Sequence, residues 1–234
     1  MMRVLAVGAH PDDIEILCAG TLAKFAALGH QVVMAYATNG NMGHMFIPPD
    51  ELAEIRRKEA ANSAAVIGAE MIWMNIDDQL IVDDLPTRMK FIEMVRQARP
   101  DLVITHSPND YIMDHRRTGS LVFEATFMAG LPNLKTQSPA HPGVSPLYYM
   151  DSLAGIGFLP TEWVDISDHF DAKIKMLSQH QSQVKWLKDH DNIDIIEFVT
   201  TAARYRGIQV GTQYAEGFVR VNQWPRASAQ RLLP

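Results

Sequence analysis

Hydrophobic and polar positions alternate between two patterns along the first 130 residues. Residues 4–9 form a short unbroken apolar run, the pattern of a strand buried on both faces. Ile14, Leu17, Leu22, Phe25 and Leu28 then recur at helical spacing and predict a helix over 14–28 that stops at Gly29. A second strand is predicted at 31–37 (QVVMAYA), followed by the loop TNGNMGH. Residues 50–67 predict a long helix, with Pro48 and Pro49 before it and Gly68 after it. Further strands are predicted at 70–74 and 101–105, separated by a helix over 86–98. The loop HSPNDYIMDH leads into a helix over 116–129.

This alternation implies an α/β fold: a Rossmann-like, doubly wound, mostly parallel sheet with helices on both faces. Beyond residue 130 the pattern loosens. Residues 131–146 (LPNLKTQSPAHPGVSP) read as a surface loop, expected to border the pocket or a subunit contact. Later strands are predicted at 147–150 and 163–166, and helices at 168–188 and 193–206. No repeat, low-complexity segment or linker divides the chain, so a single domain over 1–234 is expected.

Composition narrows the class. With 47% hydrophobic and 21% charged residues the chain is ordinary globular material. At 234 residues it can bury about 70% of its unfolded surface, so it needs no covalent staple. Its one cysteine, Cys18, excludes an intrachain disulfide, fits a reducing compartment, and reads as a small buried hydrophobe. A net charge of −6 argues against a broad basic face for nucleic acid. No run approaches the roughly 18–20 apolar residues of a membrane span. His10, Asp12 and Asp13 interrupt the N-terminal apolar stretch too early for a signal peptide. The expectation is a soluble cytoplasmic protein with neither nucleic acid nor membrane as partner.

Two segments carry chemistry. AHPDD (9–13) directly follows the first strand, and His106, Asp110, Asp114 and His115 follow the fourth. Singly, these are ordinary turn and helix-start residues, since a helix N-terminus favours Asp without any catalytic role. Topology joins them. In a doubly wound sheet of strand order 3-2-1-4-5, strands one and four are neighbours and their loops meet in a crevice. Two histidines and a carboxylate there, with one coordination position open, describe a catalytic zinc site, and Fe²⁺ also suits that set.

AHPDDIE, with Gly20 downstream, resembles the signature of the PIG-L/LmbE-like N-acetylglucosaminyl deacetylase family. RRKEAANSAAVIG (56–68), DYIMDH (110–115), HQSQ (180–183) and YAEGF (214–218) resemble further family motifs in order, so the likeness spans nearly the whole chain. It implies a Rossmann-like metal-dependent amidase that removes an N-acyl group from an amino sugar or related small polar conjugate, and a homo-oligomer. By position it implies His10, Asp13 and His115 as ligands of a zinc or other divalent ion, Asp12 as general base, and Arg56 in reach of substrate. One position departs. Many members carry His-Pro-Asp-His where this chain has Ile112, Met113, Asp114 and His115, so the first histidine's polar help is lost. His44, His106, Tyr111 and His141 are the candidates to replace it.

The remaining expectations are weaker in their residues. Asn39 and Asn41 lie on the same sheet edge, where Asn39 is a candidate substrate contact alongside Tyr111. Asp110 and Asp114 are candidates to orient a ligand histidine. Glu15 reads as a helix-start charge or an outer partner of the site; His180 and Glu216 read as packing residues of the C-terminal region. Two other classes stay open: a non-catalytic sugar- or metal-binding member of the same fold, and a nucleotide-binding Rossmann module. The second lacks the Gly-x-Gly-x-x-Gly turn, because the first turn reads GAHPDD.

Overall fold

A computed structural model describes residues Met1–Pro234. In chain order it contains β1 (Arg3–Gly8), α1 (Asp13–Leu17), α2 (Ala19–Ala27), β2 (Gln31–Thr38), α3 (Pro49–Val66), β3 (Glu70–Ile76), α4 (Leu85–Ala98), β4 (Leu102–Thr105) and α5 (Met113–Met128). There follow β5 (Leu147–Met150), β6 (Glu162–Asp165), α6 (Phe170–Leu177), α7 (Gln181–Asp191), α8 (Ile195–Val210) and β7 (Ala215–Arg220). The seven strands form one sheet in the order β3-β2-β1-β4-β5-β7-β6. The first five run parallel, and β7 pairs antiparallel with both β5 and β6.

The period-two geometry of a strand sorts the apolar runs onto two faces. Val4 and Ala6 of β1, with Met34 and Tyr36 of β2, pack against α1, α2, α3 and α6. Leu5 and Val7, with Val33 and Ala35, pack against Phe91 and Val95 of α4 and Val122 of α5. A strand apolar at every position is therefore what a sheet covered on both sides requires. No helix is long and apolar enough to cross a membrane.

Several element boundaries differ from the sequence expectation. The helix expected over 14–28 breaks at Cys18, which is buried as expected. Glu216 of β7 reaches across and accepts from the backbone N–H groups of Gly20 (3.0 Å) and Thr21 (2.7 Å), starting a new helix there. Lys173 Nζ donates to the same carboxylate at 2.6 Å and to Ile16 O at 2.8 Å. The helix expected over 168–188 divides into α6 and α7, with His180 at the break. The strand at β7 carried no expectation beyond its YAEGF motif. The 131–146 loop forms no regular element and lies on α4 rather than at the cleft described below. There Arg96 donates to Ala129 O, Leu131 O and Leu134 O, and Glu93 accepts from Ser138.

The Lys173–Glu216 pair is buried, so removing one partner strands the other charge. Glu216→Ala is expected to cost about 3–5 kcal/mol, read as a fall in the urea midpoint; a midpoint within error of wild type would show that the helix break does not depend on this carboxylate.

Candidate metal centre and its cleft

β1 and β4 are hydrogen-bonded neighbours with Val7 opposite Thr105, so the two loops that follow them emerge side by side. Asp13 is the point where they join. His10 N donates to Asp13 Oδ2 at 2.7 Å, closing the AHPDD turn. His115 Nε2 lies 3.1 Å from Asp13 Oδ1, His106 Nε2 lies 3.1 Å from Oδ2, and His10 Nδ1 lies 3.3 Å from Oδ2. His115 sits in the first turn of α5, which starts at Met113 rather than near 116 because Asp110 Oδ1 accepts from Ile112 N at 2.8 Å and begins the turn.

Each expected ligand histidine is backed by carboxylate on its far nitrogen. His115 Nδ1 lies 3.2 Å from Asp110 Oδ2. His10 Nε2 lies 3.2 Å from Asp78 Oδ1 and 3.7 Å from Asp114 Oδ2. This is the carboxylate–histidine arrangement that fixes a ligand's tautomer and orientation. Asp110 thus lies behind His115, and Asp114 lies near His10, the two histidines expected as ligands. Asp78 was missed. It lies in the loop after β3, at the same sheet edge as the other two loops, and that edge position is the signal that points to it.

The electrostatics follow from burial against neighbours. Burial pushes the Asp13 carboxyl up, but His115, His106 and His10 outweigh it and hold it well below the usual carboxylate range. Burial opposes charge on His115, yet Asp13 and Asp110 raise its imidazole to about 9. His106, buried and beside His115, is pushed down to about 4. One imidazole nitrogen or carboxylate oxygen from each of His10, Asp13 and His115 lies within 4.8 Å of the others, and the same holds for His106, Asp110 and His115 and for His10, Asp78 and Asp114. Asp114 Oδ1 is buried without a hydrogen-bond partner. Two imidazoles and a carboxylate, held convergent by outer carboxylates, fit a divalent cation with an open position.

Asp12 occupies a different position. Its backbone is strained, at φ 135° and ψ −22°, a region that costs a non-glycine residue roughly 1–3 kcal/mol and persists where surrounding contacts impose it. Arg56 imposes it: its Nη2 donates to Pro11 O (2.5 Å) and Asp12 Oδ2 (3.1 Å), and Nη1 to Gly40 O (3.1 Å). Gly40 has φ +65° and a Cβ there would collide with the Arg56 guanidinium. Asp12 Oδ2 is thereby held. Burial pushes its carboxyl up to about 6, against the pull of Arg56, near the range in which a carboxylate exchanges protons at working pH. Beneath it, Glu15 Oε1 accepts from Ser63 Oγ and Tyr36 OH and lies 3.1 Å from His180 Nε2. Glu15 and His180 therefore brace the turn from below.

His10, Asp12, Asp13, Arg56, Asp78 and His115 line one side of a cleft of about 570 Å³. Tyr111 and Ile112 also line it, and of the four candidates to replace the family histidine only Tyr111 does. His106 is buried behind Asp13, His44 packs at a tilt on Trp186 with a centroid distance of 4.4 Å, and His141 lies 3.2 Å from Ser145 Oγ. Asn39 is one layer out. Its side chain donates to Asp77 at 3.0 Å, and Asn41 Oδ1 accepts from Asp78 N at 3.0 Å, so both asparagines shape the loop that presents Asp78. A pyrophosphate at the first turn would face two carboxylates, which disfavours nucleotide binding.

A doubly wound sheet whose switch point carries such a donor set is the architecture of a metal-assisted α/β hydrolase. The family profile described as PIG-L, GlcNAc-PI de-N-acetylase, matches residues 5–126, and the chain belongs to that family. It is 32% identical over 226 residues, 92% of its own length and 81% of the relative's, to diacetylchitobiose deacetylase of Thermococcus kodakarensis. The solved N,N'-diacetylchitobiose deacetylase from Pyrococcus horikoshii superposes with a TM-score of 0.80 at 29% identity, covering 93% of this chain and 83% of that one. A 4-oxalmesaconate hydratase of Pseudomonas putida is 25% identical over 215 residues, 88% of this chain and 80% of that one.

Asp110 lies behind His115 and outside the cleft lining, so its loss is expected to loosen the centre without destroying it. Asp110→Ala should weaken divalent-metal affinity by about 10–100-fold in a competition titration with a chromophoric chelator; unchanged affinity would remove Asp110 from the centre.

Proposed function

We propose that the chain is an N-deacetylase that uses a divalent metal, zinc in the first instance, to remove an acetyl group from an N-acetylated amino sugar or a small conjugate of one. The observation that carries this reading is the placing of Asp12: strained, held on one oxygen by Arg56, and lining the same cleft as His10, Asp13 and His115. A site built only to bind would not need a second, differently oriented carboxylate. The deacetylase relatives support the amide substrate.

His10, Asp13 and His115 would hold the metal, which when bound lowers the pKa of water and polarises an acyl carbonyl. The chain's own residues supply the proton traffic. Asp12 Oδ1, which makes no hydrogen bond in the fold, takes the proton of the attacking water. Arg56 keeps Oδ2 turned away and so fixes which oxygen works. Asp12, then a carboxylic acid, returns that proton to the departing amine nitrogen, because Ile112 has no group that can. Tyr111, half exposed at the cleft wall, is placed to meet the substrate's polar groups.

Hydration of a carbon–carbon double bond is a second reading, favoured by the Pseudomonas putida relative. Release of acetate from N-acetylglucosamine or diacetylchitobiose, lost on chelation and restored by zinc, decides for the deacetylase; hydration of an unsaturated acid with no acetate release decides against it.

Asp12 and Asp13 separate cleanly. Asp13→Ala is expected to lose bound metal. Asp12→Asn should keep it while turnover falls by about 10⁴-fold, the upper end of what general acid–base catalysis contributes, since both proton transfers fail together. Turnover near wild type in a fully metallated Asp12→Asn protein would exclude Asp12 as the base.

A further inference from the structure

The cleft has two chemically distinct ends. Opposite the carboxylates and imidazoles, its wall is Ile16, Leu153, Ile156, Leu187, Ile193 and Phe198. Ala154, Ile193 and Phe198 also line a second depression of about 590 Å³ that runs along α8 past Thr201 and Ala202 to Tyr205. The two hollows share these wall residues, so the lining makes a track that is polar at the metal centre and apolar beyond it. Ile156 is 57% exposed, Ile193 41% and Tyr205 54%, so the track presents apolar surface to water with nothing in the chain covering it.

This wall is built, and at a cost. The segment that carries Leu153, Ala154 and Ile156 turns through three residues with positive φ: Ala154 at 57°, Gly155 at 70° and Gly157 at 67°. Ala154 is not glycine, so its conformation is strained and needs outside contacts to persist. Those contacts come from α8. Arg206 Nε and Nη2 donate to Asp151 Oδ2 (2.6 Å) and Oδ1 (3.0 Å), and Nη2 donates to Phe158 O (3.2 Å). Only a glycine fits at 155, because a Cβ there would lie 2.7 Å from Arg206 Nη2. Ser152 Oγ closes the turn by donating to Ile156 O at 2.7 Å. A buried, two-pronged ion pair thus holds a strained loop in place, and what the loop presents to the cleft is Leu153, Ala154 and Ile156. At the far rim Asp194 and Glu197 border the track, which disfavours an anionic group there.

We infer that the substrate carries, beside the amide cleaved at the polar end, an uncharged apolar substituent of several carbons that lies across Ile156, Ile193 and Phe198. The polar end of this assignment rests on the deacetylase reading above. The substituent enters either as the aglycone of the amino sugar or as an acyl chain longer than acetyl. Both present the same chemistry to the wall, and the track's continuity with the metal centre leads either one there.

Calorimetry on the metal-loaded protein tests the wall without any turnover. Hexyl β-glucoside against methyl β-glucoside probes the aglycone arm; hexanoate against acetate probes the acyl arm. In at least one arm the longer ligand should bind about tenfold tighter or more, a conservative figure for methylenes partly removed from water. That ratio should fall toward one in Ile156→Ser and in Ile193→Ser, two exposed positions that tolerate substitution, and persist in Ile156→Leu. Equal binding of long and short ligands in both arms would overturn the inference. So would a solution mass of two chains that drops to one in Ile156→Ser, which would give the wall to a second copy. Hydrolysis of N-acetylglucosamine and its hexyl glycoside separates the two readings. Deacetylation with no preference in binding or rate sinks the apolar wall alone. A retained hexyl preference in binding with no amide cleavage sinks the deacetylase alone.

Discussion

Asp13 facing three imidazoles is the interaction on which the site depends. It is buried, contributed by the loop after β1, and met by His106 and His115 from β4 and α5. A lone carboxylate at that depth would be costly and would neutralise itself. Positive charge around it, from imidazolium or from a bound cation, is what lets the two loops close on each other. The sheet order supplies the adjacency and Asp13 turns adjacency into a centre.

Around that carboxylate the remaining groups divide by what they contact. Asp78, Asp110 and Asp114 face the far nitrogens of His10 and His115. Arg56 holds Asp12 in a backbone conformation it would not adopt alone. Glu15 and His180 lie below, and the Lys173–Glu216 pair fixes where α2 begins. Asp12 and Ala154 are two of the six non-glycine residues with positive φ, and both border the cleft, as does Gln79. Strain supported by ion pairs at the two ends of one cavity fits the proposed base at one end and the proposed apolar wall at the other.

Much of this was legible in the sequence, for a physical reason. Unbroken apolar runs such as 4–9 report burial on both faces, and their alternation with helical spacing leaves few topologies. The strand order then predicted the meeting of the AHPDD and DYIMDH loops. What stayed illegible depends on contacts distant in the chain. The break at Cys18 comes from Glu216, nearly two hundred residues away in the sequence. The loop around Asp78 has no motif of its own, and only its place at the sheet edge, shaped by Asn39 and Asn41, brings it to His10. The 131–146 loop, rich in Pro and Gly, read as a border of the pocket or of a subunit contact, because its composition could not say which edge it covers. Arg96 holds it on α4 instead.

Three overlapping groups of side chains at the switch point have the chemistry of a metal site, and His10, Asp13 and His115 are the set proposed to hold the ion. Anomalous diffraction at the zinc edge, from crystals grown with excess zinc, tests that choice directly. The prediction is a first-filled peak about 2.0–2.2 Å from one nitrogen of His10, one oxygen of Asp13 and one nitrogen of His115. A first-filled peak on Asp78 and Asp114 with Asp13 outside its coordination sphere, or on His106 and Asp110, would contradict it.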